Sequence, residues 1–225
     1  MRSATEARGW ADDGYRLLLE SVDGLTDAEL DDPCALPGWG RRHLLAHVAS
    51  NAEAIGRLLT WARTGVESRM YASPDQRAAD ITAGATRPDL RGWLRDSAAA
   101  LSRAMDDLPD DAWRHEVVTA QGRVVQATET TWMRARETCI HAVDLGTGTT
   151  FDDLPEGFLA ALVADVAAWR AARPGPAITL TTPLTHHEFG ADPPLTRLDL
   201  PVTTAAAWLT GRRPAADLPV LPTWL

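Results

Sequence analysis

Between Arg41 and Arg63, apolar side chains return every three or four residues: Leu44, Leu45, Val48, Ile55, Leu58 and Leu59. That period winds them onto one face of a long helix, which has to be covered by other helices. His43, His47 and Asn51 recur at intervals of four in the same segment, so a polar stripe accompanies the core face. A second helix is expected over Thr130–Asp144. There Glu137 and His141, also four apart, share a face amid Trp132, Met133, Ile140 and Val143. Arg134 and Asp144 fall near that stripe, so Arg134 either lines a pocket or pairs with Asp144.

The rest of the chain extends the helical pattern. Ala4–Ser21 carries Trp10, Tyr15, Leu17, Leu18 and Leu19 at helical spacing and stops at Asp23-Gly24. Thr26-Asp27-Ala28-Glu29 has the form of a capping box and predicts a short helix ended by Pro33. Ser73-Pro74-Asp75-Gln76 opens another helix to about Ala85, and Asp89–Asp107 a further one. His115–Thr119 and Arg123–Ala127 flank Ala-Gln-Gly and predict a small hairpin, after which Thr128 caps the helix of Glu137. Beyond a linker at 146–153 the pattern changes. Pro155–Arg173 and Val202–Leu209 predict helices, and Ala177–Thr182 and Leu195–Leu200 predict strands. His186-His187-Glu188 is expected in a solvated loop. The layout is mainly α: a helical-bundle domain over 1–150 and a small α+β C-terminal domain over 151–225.

Composition narrows the chemistry. The net charge is −9 and no basic cluster exceeds a pair, which argues against nucleic acid or an anionic membrane as partner. All 22 basic residues are Arg, which excludes a Schiff-base lysine, a P-loop lysine and a kinase-type lysine within this chain. No apolar run approaches a membrane span, and MRSATEARGW lacks a signal-peptide core, so a cytoplasmic monomer is the expectation. Cys34 and Cys139 are expected as small buried hydrophobes, neither with an activating partner.

A His from the first helix together with Glu137 and His141 makes a His₂Glu set, an arrangement that suits catalytic zinc with one open position. A competing set uses both His43 and His47 with Glu137 or His141. Spacing does not choose between them.

The stretch Leu36-Pro37-Gly38-Trp39-Gly40-Arg41-Arg42-His43-Leu44-Leu45-Ala46-His47 resembles the N-terminal signature of the mycothiol-dependent maleylpyruvate isomerase family. That family is a branch of the DinB-like metal-dependent four-helix-bundle superfamily. Thr119–Arg123, Trp132–Glu137 and His141–Leu145 are similar to the same family. Ala207-Trp208-Leu209-Thr210-Gly211-Arg212 and the closing Leu-Pro-x-Leu-Pro-x-Trp are similar to its small second domain. The resemblance thus spans nearly the whole chain. It implies His47, Glu137 and His141 as metal ligands, zinc as the metal, and His43 as a packing or supporting residue. It implies Arg212 as the arginine important for activity, with Arg213 beside it as the alternative. Asn51, Arg134 and Trp39 are candidates for binding substrate or thiol, Trp39 at the entrance.

The implied reaction is cis–trans isomerisation of maleylpyruvate to fumarylpyruvate. An external low-molecular-weight thiol, mycothiol, adds to the alkene and leaves again, and arginines clamp the dicarboxylate. Two other readings fit the same residues: a thiol S-transferase that consumes the thiol, and a non-catalytic binding module that keeps the fold.

Overall fold

The computed structural model describes residues 2–212 and 217–224. Two compact units are present, one from Ser3 to Thr149 and the other from Thr150 onward. Among the described residues, no helix is long and apolar enough to cross a membrane.

The first unit is built on α2 (Arg41–Thr64), where 14 of 24 residues are buried, which makes it the central helix. It ends where Gly65 turns left-handed at φ 71°. Helix α1 (Ala4–Asp23) starts from a complete Ser3/Glu6 capping box. Helix α3 (Pro74–Ala85) starts from Ser73 with proline in its first turn, and α4 (Leu90–Asp106) from Asp89, whose carboxylate accepts from the Gly92 amide. Strands β1 (Glu116–Val118) and β2 (Val124–Gln126) form the hairpin that leads into α5 (Glu129–Asp144). Helices α1, α2, α4 and α5 make a four-helix bundle, with α3 laid against α2. One core cluster joins Leu18, Val22, Leu44, Leu45, Leu94 and Leu145. A second joins Ile55, Leu58, Met70, Leu101 and Met105. Helices α1 and α5 approach closely at Gly14, where a Cβ would stand 2.6 Å from both the amide nitrogen and Sγ of Cys139.

In the second unit, α6 (Glu156–Ala171) packs on α7 (Val202–Leu209) and on a three-stranded sheet. Strand β3 (Pro176–Thr181) is central, antiparallel to β4 (His186–Phe189) and parallel to β5 (Asp192–Asp199). Arg170 ties the tail to this unit by donating to the carbonyls of Leu209 and Pro222, and Trp208 donates to that of Pro219.

Three local expectations are corrected. His186–Glu188 lies in an edge strand rather than a loop: only Phe189 of β4 is buried, so the alternation is faint and the ladder to β3 sets the conformation. The Thr26/Glu29 box forms, but Asp32-Pro33 cuts the helix to one 3₁₀ turn, Glu29–Asp31. Thr128 precedes α5 with helical dihedrals and gives no side-chain cap.

Candidate metal centre

His47 belongs to α2, while Glu137 and His141 stand one turn apart on α5. Where the two helices pack, the three side chains meet, with one donor atom from each within 4.8 Å of the others. Glu137 Oε2 lies 2.9 Å from His47 Nε2 and 3.2 Å from His141 Nε2. It is buried, yet aligned for a hydrogen bond with neither ring. The two imidazoles stand edge to face with centroids 5.0 Å apart. Three donors that converge in this way, two imidazoles and one carboxylate, suit a shared divalent cation.

The surroundings orient these groups. Buried Asp144 accepts from Nδ1 of His141 at 2.9 Å, which turns Nε2 toward Glu137. Burial opposes charge on His141, but the hydrogen bond to Asp144 and the adjacent carboxylate of Glu137 outweigh it and raise its pKa to about 9. Burial likewise works against ionised Glu137, and the two histidines overcome it, holding the carboxyl well below its usual range. His47 goes the other way: burial lowers it, and Glu137 offsets only part of that. A neutral histidine and an ionised carboxylate are the forms that bind a metal.

Two neighbours were not legible in the sequence. Arg77 of α3 brings Nη2 to 3.4 Å from Nδ1 of His47, and its guanidinium lies 5.5 Å from the Tyr71 ring centre. The Tyr71 hydroxyl is buried and meets no hydrogen-bonding partner in good geometry. Burial is the main cause that raises its pKa, and the charge of Glu137 adds to it. Tyr71 sits in a loop and Arg77 on an exposed-looking helix, so no periodicity marks either.

His43 stays outside the cluster, half-buried, with its ring 6.4 Å from that of Trp39. Trp39 also stands edge to face against His47 at 5.7 Å. Arg134 is buried, with Nη1 donating to the Val48 carbonyl at 2.9 Å and to Asn51 Oδ1 at 3.1 Å. Asn51 and Arg134 therefore hold each other and join α2 to α5. Arg134 does not pair with Asp144: ten residues of helix, about 15 Å, separate them. In the second unit, Arg212 donates to the Thr210 carbonyl at 2.8 Å and lies 5.9 Å from the Trp224 ring centre. The alternative, Arg213, lies outside the described residues.

Comparison with known proteins gives the geometry a context. Residues 12–146 match the family described as the mycothiol maleylpyruvate isomerase N-terminal domain. A crystal structure of the mycothiol-dependent maleylpyruvate isomerase is similar over 100% of both chains, at 36% identity and a TM-score of 0.92. A histidine-to-alanine mutant of that enzyme matches at 35% identity, the same coverage and the same score. YfiT from Bacillus subtilis, described as a probable metal-dependent hydrolase with an unusual four-helix bundle topology, shares the fold alone. It is 16% identical at a TM-score of 0.53, over 64% of this chain and 83% of its own. No curated protein matches. The fold is a DinB-like four-helix bundle with a small α+β C-terminal unit, and the chain belongs to the mycothiol maleylpyruvate isomerase family.

Proposed function

We propose that the protein is a zinc- and mycothiol-dependent isomerase that converts maleylpyruvate to fumarylpyruvate. The observation that carries this reading is the convergence of His47, Glu137 and His141, within a chain similar over its full length to a mycothiol-dependent maleylpyruvate isomerase. These three residues would hold the metal. When bound, a divalent zinc supplies a positive open position that favours the thiolate form of an incoming thiol and polarises a carbonyl.

The thiol has to come from outside. Cys139 is buried, and burial pushes its thiol far up. Burial also raises Cys34. Neither is a ready thiolate at neutral pH. An external thiolate adds to one alkene carbon, and the π pair moves onto the conjugated carbonyl as an enolate. The former double bond is then single and rotates. Collapse of the enolate restores the double bond in the trans form and expels the thiolate, so the thiol is regenerated.

Side chains of this chain would steer those steps. Arg77 beside His47 suits a substrate carboxylate, and the Tyr71 hydroxyl suits the oxygen that gains charge. Trp39 against His47 would keep water from that side. Arg212 is proposed as a further activity-determining arginine on its Leu-Thr-Gly-Arg motif.

The test is conversion of maleylpyruvate by the zinc-loaded protein with mycothiol, following product and free thiol together. Fumarylpyruvate at constant thiol supports the isomerase. Stoichiometric loss of thiol would make the protein an S-transferase, and no reaction would leave it a binding module.

A further inference from the structure

A second cavity, of about 330 Å³, opens between α1 and α4 with α5 as its floor. None of His47, Glu137 and His141 lines it. Its wall is small and apolar where the helices face each other, through Ala11, Ala98 and Ala99. Such faces would normally close up, but polar bridges hold the two helices to a fixed spacing. Arg8 pairs with Asp106 at 2.7 Å and donates to Ser102, Tyr15 donates to the Leu94 carbonyl, and Arg95 pairs with Asp23.

The floor carries Arg134, which is only 4% exposed. Val48 and Asn51 occupy its Nη1, whereas Nη2 is buried and has no hydrogen-bond partner. Arg8 and Arg95 already face carboxylates, but no acidic side chain among the described residues lies within ion-pair distance of Arg134. The charge of Glu137 acts on Arg134 from a distance, but a buried guanidinium with unmet N–H groups and no carboxylate in contact is costly unless something brings an acceptor. Asp12 is the acidic residue of the lining. Burial raises its pKa, and the charge of Arg8 beside it works the other way.

We propose that the cavity between α1 and α4 is a binding site for a small organic carboxylate with an apolar body. Its carboxylate pairs with the Arg134 guanidinium, and its body lies against Ala98 and Ala99. The site is separate from the metal cluster.

Benzoate is a suitable probe, with benzyl alcohol as its neutral counterpart, titrated into the zinc-loaded full chain by ligand-observed NMR. Benzoate is expected to bind at least about tenfold more tightly than benzyl alcohol, the scale of one charge-assisted hydrogen bond. Arg134→Met should lower benzoate affinity by about the same factor. Should that variant fail to fold, Ala98→Phe carries the test: it fills the half-buried wall, touches no metal ligand and should abolish binding. Equal affinity for the two probes, no binding of benzoate, or binding unchanged in Ala98→Phe would each overturn the site. The last result would place benzoate elsewhere, as on the metal.

Discussion

Oδ2 of the buried Asp144 lies 2.9 Å from Nδ1 of His141, three residues earlier on α5. The contact fixes which ring nitrogen carries the proton and aims the other at Glu137. A carboxylate behind a metal-binding histidine typically governs affinity by about 10- to 100-fold. Asp144→Asn keeps an acceptor but removes the charge, so zinc affinity is expected to fall by about that factor in a chelator competition. Unchanged affinity would deny Asp144 the role.

His47→Ala should remove the ligand that α2 supplies. The zinc content of purified protein, measured by atomic emission, is expected to drop from about one per chain to near zero. The same measurement on His43→Ala should stay near one, because His43 lies outside the cluster.

The metal-free protein should lose stability in alkali. The pKa of His141 stands at about 9 when folded, above the ordinary histidine value near 6.5. Its contribution is therefore fully present below about pH 6.5 and is lost as pH rises through about 9, amounting to roughly 3 kcal/mol at most. His47 has the opposite sign: its folded pKa is lowered, so it reduces stability as pH falls below about 6.5. Thermal denaturation across this range checks both trends. A melting temperature that rises from pH 7 to 9 would contradict the His141 assignment.

Arg77 and the metal should oppose each other. An arginine only donates, so the 3.4 Å contact favours a bare Nδ1 on His47, whereas ligation through Nε2 puts the proton on Nδ1. Arg77→Met should therefore tighten zinc binding by on the order of 1 kcal/mol, about fivefold. Under the proposed function it should also raise KM for maleylpyruvate. A variant that weakens both would mark Arg77 as merely structural.

Gly14→Ala tests the helix contact behind the site. The new Cβ would meet the amide nitrogen of Cys139 at 2.6 Å, an atom that α5 cannot move without displacing Glu137 and His141. A loss of about 1–3 kcal/mol in urea denaturation is expected. Adding Cys139→Ala should restore little, since the backbone clash persists.

The helices were largely legible because each has a clear period and an end signal. Ser73 caps α3 where expected, and Pro33 stops the turn before α2. Strand β4 was not, since a four-residue edge strand with one buried side chain has almost no pattern to read. Tyr71 and Arg77 were invisible for another reason: each is ordinary in its own segment and matters only through what it faces.

The sequence by itself determined the helical bundle, the polar stripes on two of its helices and the family signature. Periodicity and motif are local properties that a chain carries in one dimension. It did not determine which histidine of α2 meets Glu137, because His43 and His47 lie on the same stripe one turn apart. The family signature implied His47, and the tertiary structure is what brings His47 to Glu137. The packing of α2 against α5 buries His47 and leaves His43 beside Trp39, and it gives Arg134 the Val48 carbonyl and Asn51 as partners. Both outcomes depend on where two helices cross, a relationship that no spacing along one helix contains.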